Sequence, residues 1–205
     1  MLANLSITDF LEKTAFRAPV PGGGSVAALS AAAAAALAEM VANLTIGKKG
    51  FESVEAEMKE IASIAKDYRK KLTVDIDRDS DAFDAVMAAF RLPKNTEEEK
   101  NKRKHAIQEA FKIASLVPLE VAKSAYGIMD LAEKAVLKGN KNAVTDATVA
   151  AMMARTAALS ALYNVRINLS SIKDVDFVGV ITEQVTELET VVEKSEKEIR
   201  SHVHL

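Results

Sequence analysis

The chain has 205 residues and carries 27 Lys and Arg against 29 Asp and Glu, a net charge of −2. That balance excludes binding of nucleic acid or acidic membranes by bulk charge. With no cysteine, disulfides and thiolate metal sites are excluded as well, and a reducing, cytoplasmic setting is the expectation.

Taken in order, Leu2, Leu5, Ile7, Phe10 and Leu11 give the apolar side of a short helix near Ser6 to Thr14. No basic start leads into an apolar core there, so no signal peptide is expected. Pro19-Val-Pro-Gly-Gly-Gly-Ser25 then opens directly into a long alanine-rich helix. Gly22, Gly23 and Gly24 can take positive φ, and Ser25 is placed to cap free amides at the helix start. The helix is alanine on every face, a smooth rod suited to the centre of a fold. Its apolar run, Val26 to Ala38, reads as too short to span a membrane. It is expected to end at Thr45-Ile46-Gly47, with Gly47 left-handed and Lys48 and Lys49 at the negative end of the dipole.

A second long amphipathic segment runs from Val54 to Leu72 with apolar residues at spacings of three and four. Asp75, Asp77, Asp79 and Asp81 interrupt it, and the pattern resumes through Phe83 to Phe90. Leu92 to Thr96 is a break, and Thr96 with Glu99 spells a capping box. The following helix contains Pro118, which predicts a kink or a division, and it stops at Gly139-Asn140. Asn142, Thr145 and Asp146 are candidate caps for a second alanine-rich rod. That rod ends at Ser170 to Asp174, and a last amphipathic helix covers about Asp176 to His202. The expectation is one all-α domain over 1–205, a bundle of about five long helices plus a short N-terminal one. Two alanine-rich rods predict close helix contacts, inside the domain or across a dimer.

Four groups offer chemistry. The glycine loop is either a tight turn before a core helix or a place where an anionic or carbonyl-bearing ligand meets free amides. It fits neither the nucleotide P-loop nor the dinucleotide fingerprint. The four aspartates are either a solvated acidic turn or a source of a carboxylate held near a cleft for acid–base work. Gly139 to Asn142 with Asp146 reads as cap chemistry or as a ligand-facing loop. Asn164 and Asn168 share a helix face, in a structural network or toward a ligand, with Arg166 between them. His105, His202 and His204 lack the company of a triad or a zinc site and are expected to face solvent.

These pieces occur together, in this order, in one family. The sequence resembles the cyclodeaminase domain of formiminotransferase-cyclodeaminase and its stand-alone bacterial relatives, methenyltetrahydrofolate cyclohydrolases among them. The matching segments include residues 19–28, Leu44 to Lys49, Asp77 to Phe83, Arg91 to Thr96, Gly139-Asn140, Thr145-Asp146 and Asn164 to Leu169. The resemblance implies an all-α, self-associating protein with a folate site at or near a subunit contact. It implies conversion of 5-formimidoyltetrahydrofolate to 5,10-methenyltetrahydrofolate and ammonia, a step of histidine degradation, with no metal and no cofactor beyond the folate substrate. It gives Gly22 to Ser25 the role of admitting the ligand to the helix start, and Asp77 or Asp79 that of pairing with the pterin edge or moving a proton. Lys48 and Lys49 would meet a glutamate tail, single or polyglutamyl, and Asn140, Asp146 and Asn164 are further binding candidates. A homodimer is the expected assembly, with no nucleic-acid or membrane partner. Two rivals stand beside this reading: a cyclohydrolase on the same scaffold, and a non-catalytic helical assembly protein.

Overall fold

A computed structural model describes residues 1–203, and over these the chain is helical without a strand. The short helix α1 is Ile7–Ala15, and the five long helices are α2 Gly23–Asn43, α3 Glu55–Phe90, α4 Glu97–Lys138, α5 Val144–Leu169 and α6 Val175–Ser201. Single 3₁₀ turns occupy Leu2–Asn4, Glu52–Val54 and Lys141–Ala143. This is the expected all-α bundle. His105 and His202 are exposed, and His204 lies outside the described residues.

Local chemistry explains three of the six α-helix starts. Ser6 caps α1 by accepting from the Asp9 amide, and Asp174 caps α6 by accepting from Phe177. Thr96 and Glu99 close the capping box at the start of α4. Other boundaries differ from the sequence expectation. The helix begins two residues before Ser25, with Gly22 as its unassisted cap, so Ser25 is a buried third-position residue and not a cap. None of Gly22 to Gly24 has positive φ; Gly47 and Gly50 do, and Gly47 sits in a turn beyond the last helical residue, Asn43. Asn142, Thr145 and Asp146 do not cap α5, because Asn140 caps the preceding 3₁₀ turn by accepting from the Asn142 amide.

Neither the four aspartates nor Pro118 breaks its helix. Asp75 is buried at 1% exposure, and Lys71 Nζ at 2.8 Å and Arg78 Nη1 at 2.6 Å neutralise it. Arg78 also reaches Glu120 at 3.0 Å, tying α3 to α4. Pro118 has no N–H, which orphans the Ala114 carbonyl four residues earlier. Asn168 Nδ2, from α5, donates to that carbonyl at 2.8 Å and replaces the missing bond.

The two alanine rods, α2 and α5, lie against each other at the centre, and α2 also packs on α3 and α4. Ala27, Ala28, Ala31, Ala34, Ala35 and Ala38 are buried on one side, and Ala147, Ala150, Ala151, Ala154, Ala157 and Ala158 on the other. Small side chains let the two backbones approach while still excluding water. By length and a mean hydropathy of 1.7, α2 would suffice to cross a bilayer, contrary to the shorter run read from sequence, but more than half of it is packed inside the bundle.

Helices α3 and α4 are about 54 and 63 Å long at 1.5 Å per residue, against about 31 Å for α2. Their antiparallel hairpin therefore runs on past the point where α2 begins and α5 ends. A small satellite core of Ala82, Val86, Ala89, Ala110, Ala114 and Val117 holds the overhang together. The step between the short and the long helices is a notch.

Candidate active site

The notch forms a cleft of about 320 Å³. Gly22, Gly23 and Gly24 supply one wall from the start of α2, and Asp79 and Phe83 supply another from α3. Phe111 and Ala114 come from α4, and Asn164, Ile167 and Asn168 from the end of α5, with Ser170 and Ser171 after it. Asp79 is the one ionisable residue among those that line it.

Asp79 is held against the N-terminus of α2. A Cβ on Gly24 would overlap its carboxylate, so glycine is required here for close approach and not for a special φ. Ser25 Oγ donates to Asp79 Oδ2 at 3.0 Å, and the Ser25 backbone amide also favours the charged carboxylate. Burial pushes the carboxyl above its ordinary value; the two Ser25 contacts pull it back without cancelling the effect. The result is a carboxyl poised to exchange a proton nearer neutrality than a surface aspartate.

Opposite, Asn164 presses its amide against Gly23, where a Cβ would lie 3.2 Å from Nδ2. Its Nδ2 donates to the Ser160 carbonyl at 2.8 Å, which fixes the side chain. Asn168 Nδ2 bonds both Ala114 and Asn164 carbonyls, at 2.8 and 3.0 Å, and joins α4 to α5 under the cleft. Arg166 points elsewhere, in a bidentate pair with Glu189 of α6 at 3.0 and 2.6 Å.

The structure thus brings Gly22, Gly23, Gly24, Asp79 and Asn164 together at one cleft, with Ser25 directly behind. It does not bring the other candidates there. Asp77 accepts from the backbone amides of Leu2 and Ala3, at 2.5 and 3.2 Å, and clips the N-terminal segment to α3. Lys48 Nζ donates to Asn140 Oδ1 at 2.6 Å, and Asn140 Nδ2 donates to the Leu44 carbonyl. That cluster, with exposed Lys49 beside it and Asp146 in the first turn of α5, lies at the far end of α2, about 31 Å from the cleft at 1.5 Å per residue. Among the described residues, no set of three or more His, Asp or Glu is placed to hold a metal ion.

A family model described as formiminotransferase-cyclodeaminase matches residues 6–187. The chain belongs to that family. It is 46% identical over 189 residues to the methenyltetrahydrofolate cyclohydrolase of Methylorubrum extorquens, covering 92% of this chain and 89% of that one. It is 35% identical over 187 residues to the formimidoyltransferase-cyclodeaminase of Sus scrofa, of which it spans 35%. Among solved structures, the formiminotetrahydrofolate cyclodeaminase of Thermotoga maritima superposes with a TM-score of 0.88 at 35% identity, over 98% and 97% of the two chains.

The family member's cleft includes residues that sequence reasoning did not single out as site residues: Phe83, Phe111, Ile167, Ser170 and Ser171. Phe83 carried a usable signal, since it follows Asp79 by four residues and so shares its helix face. Phe111 and the serines carried none, because only the tertiary step between long and short helices brings them in. The two phenylalanines give a flat aromatic ligand apolar walls while the glycines, Asp79 and Asn164 offer polar edges.

Proposed function

We propose that this protein is a formimidoyltetrahydrofolate cyclodeaminase, converting 5-formimidoyltetrahydrofolate to 5,10-methenyltetrahydrofolate and ammonia. One observation carries the reading: a single carboxyl, Asp79, held with raised proton affinity in a cleft with no other ionisable lining residue. The reaction asks for proximity and for one proton moved between two nitrogens. Folate N10 attacks the formimidoyl carbon. With the formimidoyl group entering as its amidinium cation, the attack leaves an NH2 group on that carbon. Asp79 takes the N10 proton as the new C–N bond forms and gives it to this nitrogen, whose bond to carbon breaks to release ammonia and the methenyl cation. Phe83 and Phe111 flank the pterin, and the free amides of Gly23 and Gly24 and the Asn164 amide bind its polar edge. This chemistry needs no metal and no redox cofactor.

The 46% identity to a cyclohydrolase favours a second reading on the same cleft. There water adds to the methenyl carbon with Asp79 taking its proton. The bond from that carbon to N5 then breaks as the hydroxyl proton passes to N5, and 10-formyltetrahydrofolate is formed. Supplying purified protein with each folate separately tests both. Methenyl absorbance rising with ammonia release from the formimidoyl substrate supports the cyclodeaminase. A change only with the formyl and methenyl pair makes it a cyclohydrolase, and silence with no folate binding leaves the assembly-protein rival.

The finer points belong to the same reading: cytoplasmic action in histidine degradation, on mono- or polyglutamyl folate. A homodimer is proposed because the outward stripes of α2 (Val26, Leu29, Met40) and α5 (Val149, Met152, Tyr163, Ile167) are exposed and carry no charge. At about 30 Å by 20 Å the two-helix face approaches the roughly 800 Å² per partner of a standard interface.

A further inference from the structure

Ser25 Oγ is fully buried and has one proton, yet two acceptors stand at equal distance from it. Asp79 Oδ2 and the Ile76 carbonyl are each 3.0 Å away. Ser80 Oγ, also buried, lies 3.2 Å from Ser25 Oγ, its one hydrogen-bond partner among the described residues. Counting donors settles what this trio can do. With Asp79 ionised, Ser80 donates to Ser25 and Ser25 donates to Oδ2, so every group is satisfied. With Asp79 protonated, Oδ2 is the weaker acceptor, and the Ser25 proton rotates to the Ile76 carbonyl without any buried group being orphaned.

We propose that Ser25 and Ser80 form a hydroxyl pair that redirects one hydrogen bond between Asp79 and the Ile76 carbonyl, and so set how readily Asp79 takes and returns a proton. They are positioning residues, since neither lines the cleft. The inference rests on Asp79 being the proton carrier of the proposed reaction. No proton leaves the serines during the cycle: Asp79 gains one from the substrate nitrogen and gives it to the leaving nitrogen, while the hydroxyls only turn. A donor chain of this kind strengthens its last bond, the one that reaches the carboxylate.

Charged neighbours do not supply the effect instead. From its own helix, Asp79 has Asp75 one turn back, already neutralised by Lys71 and Arg78. From α4 the cleft is lined by Phe111 and Ala114, both uncharged, and Glu120 is bound to Arg78 and Lys71. The α2 start and the α5 end contribute glycines, serine and asparagines, with no charge toward the cleft.

The test is a carbon-NMR titration of the Asp79 side-chain carboxyl, assigned by its loss in Asp79→Asn, in wild type, Ser25→Ala and Ser80→Ala. Removing the hydroxyl should move the Asp79 midpoint up by about one pH unit in Ser25→Ala, the size of one hydrogen bond to a charged group. Ser80→Ala should move it up by a smaller amount. The acid limb of kcat/KM should move by the same shifts in the same order. An unmoved midpoint in folded Ser25→Ala overturns the proposal and leaves Ser25 a mere pin between α2 and α3. An unmoved midpoint in Ser80→Ala overturns the pair, and that variant carries the test if Ser25→Ala does not fold. A titration that shifts as stated in a protein whose Asp79→Asn variant keeps full turnover overturns the catalytic reading and leaves the hydroxyl pair standing.

Discussion

Asp79 is where the chemistry concentrates, and two expectations attach to it. Asp79→Asn should lower kcat by about 10²–10⁴, the usual worth of positioned proton transfer, with an unchanged helical circular-dichroism signal. The same change should also stabilise the protein at neutral pH. A carboxyl whose folded pKa lies above its unfolded value, about 3.9, favours folding at low pH and loses that contribution as pH rises through the folded value. The Tm of Asp79→Asn should therefore exceed wild type at pH 8, with the gap closing toward pH 4; equal curves at both pH values would contradict a raised folded pKa. Gly24→Ala forces a methyl into the same carboxylate. Overpacking of this kind costs about 1–3 kcal/mol, so both Tm and turnover should fall. At this scale the sequence made Asp79 and Gly24 legible as candidates but could not rank them. Asp77 has the same chemistry two residues away, and only the fold turns one carboxylate into the cleft and the other onto the Leu2 and Ala3 amides. Ser25 read as a cap because its type suits that place; a three-residue shift of the cap, to Gly22, made it a buried hydroxyl instead.

The bundle's elements are joined at points that propensity alone does not reveal. Pro118 predicts a break in α4, and none occurs, because Asn168 replaces the donor that proline lacks. Asn168→Ala should destabilise by about 1–3 kcal/mol, the cost of leaving the Ala114 carbonyl unpaired. Pro118→Ala, which restores an amide to that carbonyl, should recover most of the loss in the Asn168→Ala background. A double-mutant cycle by chemical denaturation reads the coupling, and strict additivity would contradict the link. The acidic stretch of α3 likewise stays helical because three of its four aspartates find separate partners and Asp81 faces solvent: Asp75 with Lys71 and Arg78, Asp77 with the N-terminal amides, and Asp79 with Ser25. Helix number, the α3–α4 break and the Thr96 cap were readable from spacing and residue type, since those signals are local. Long-range pairings such as Asn168 with Ala114 are not.

Seen whole, the cleft follows from unequal helix lengths. Two long helices overhang two short alanine rods, and the step between them is walled by glycines, asparagines, two phenylalanines and one carboxyl. Lys48, Asn140 and Asp146 sit at the opposite end of the rods, and within one protomer Lys48 and Asn140 tie the far turn together. If the uncharged α2–α5 face pairs two copies, Met152→Lys should convert the protein toward monomer in analytical ultracentrifugation while preserving its helical signal. An unchanged sedimentation coefficient would move any contact to another face. The central claim is that Asp79 in this cleft moves the proton that lets formimidoyl-folate close to methenyl-folate. Its most direct test is methenyl absorbance followed in a single turnover of 5-formimidoyltetrahydrofolate, by wild type and by Asp79→Asn, with ammonia measured in the same samples. The account requires absorbance and ammonia to rise together in wild type and to be slowed at least a hundredfold in the variant; matched rates in the two proteins would contradict it.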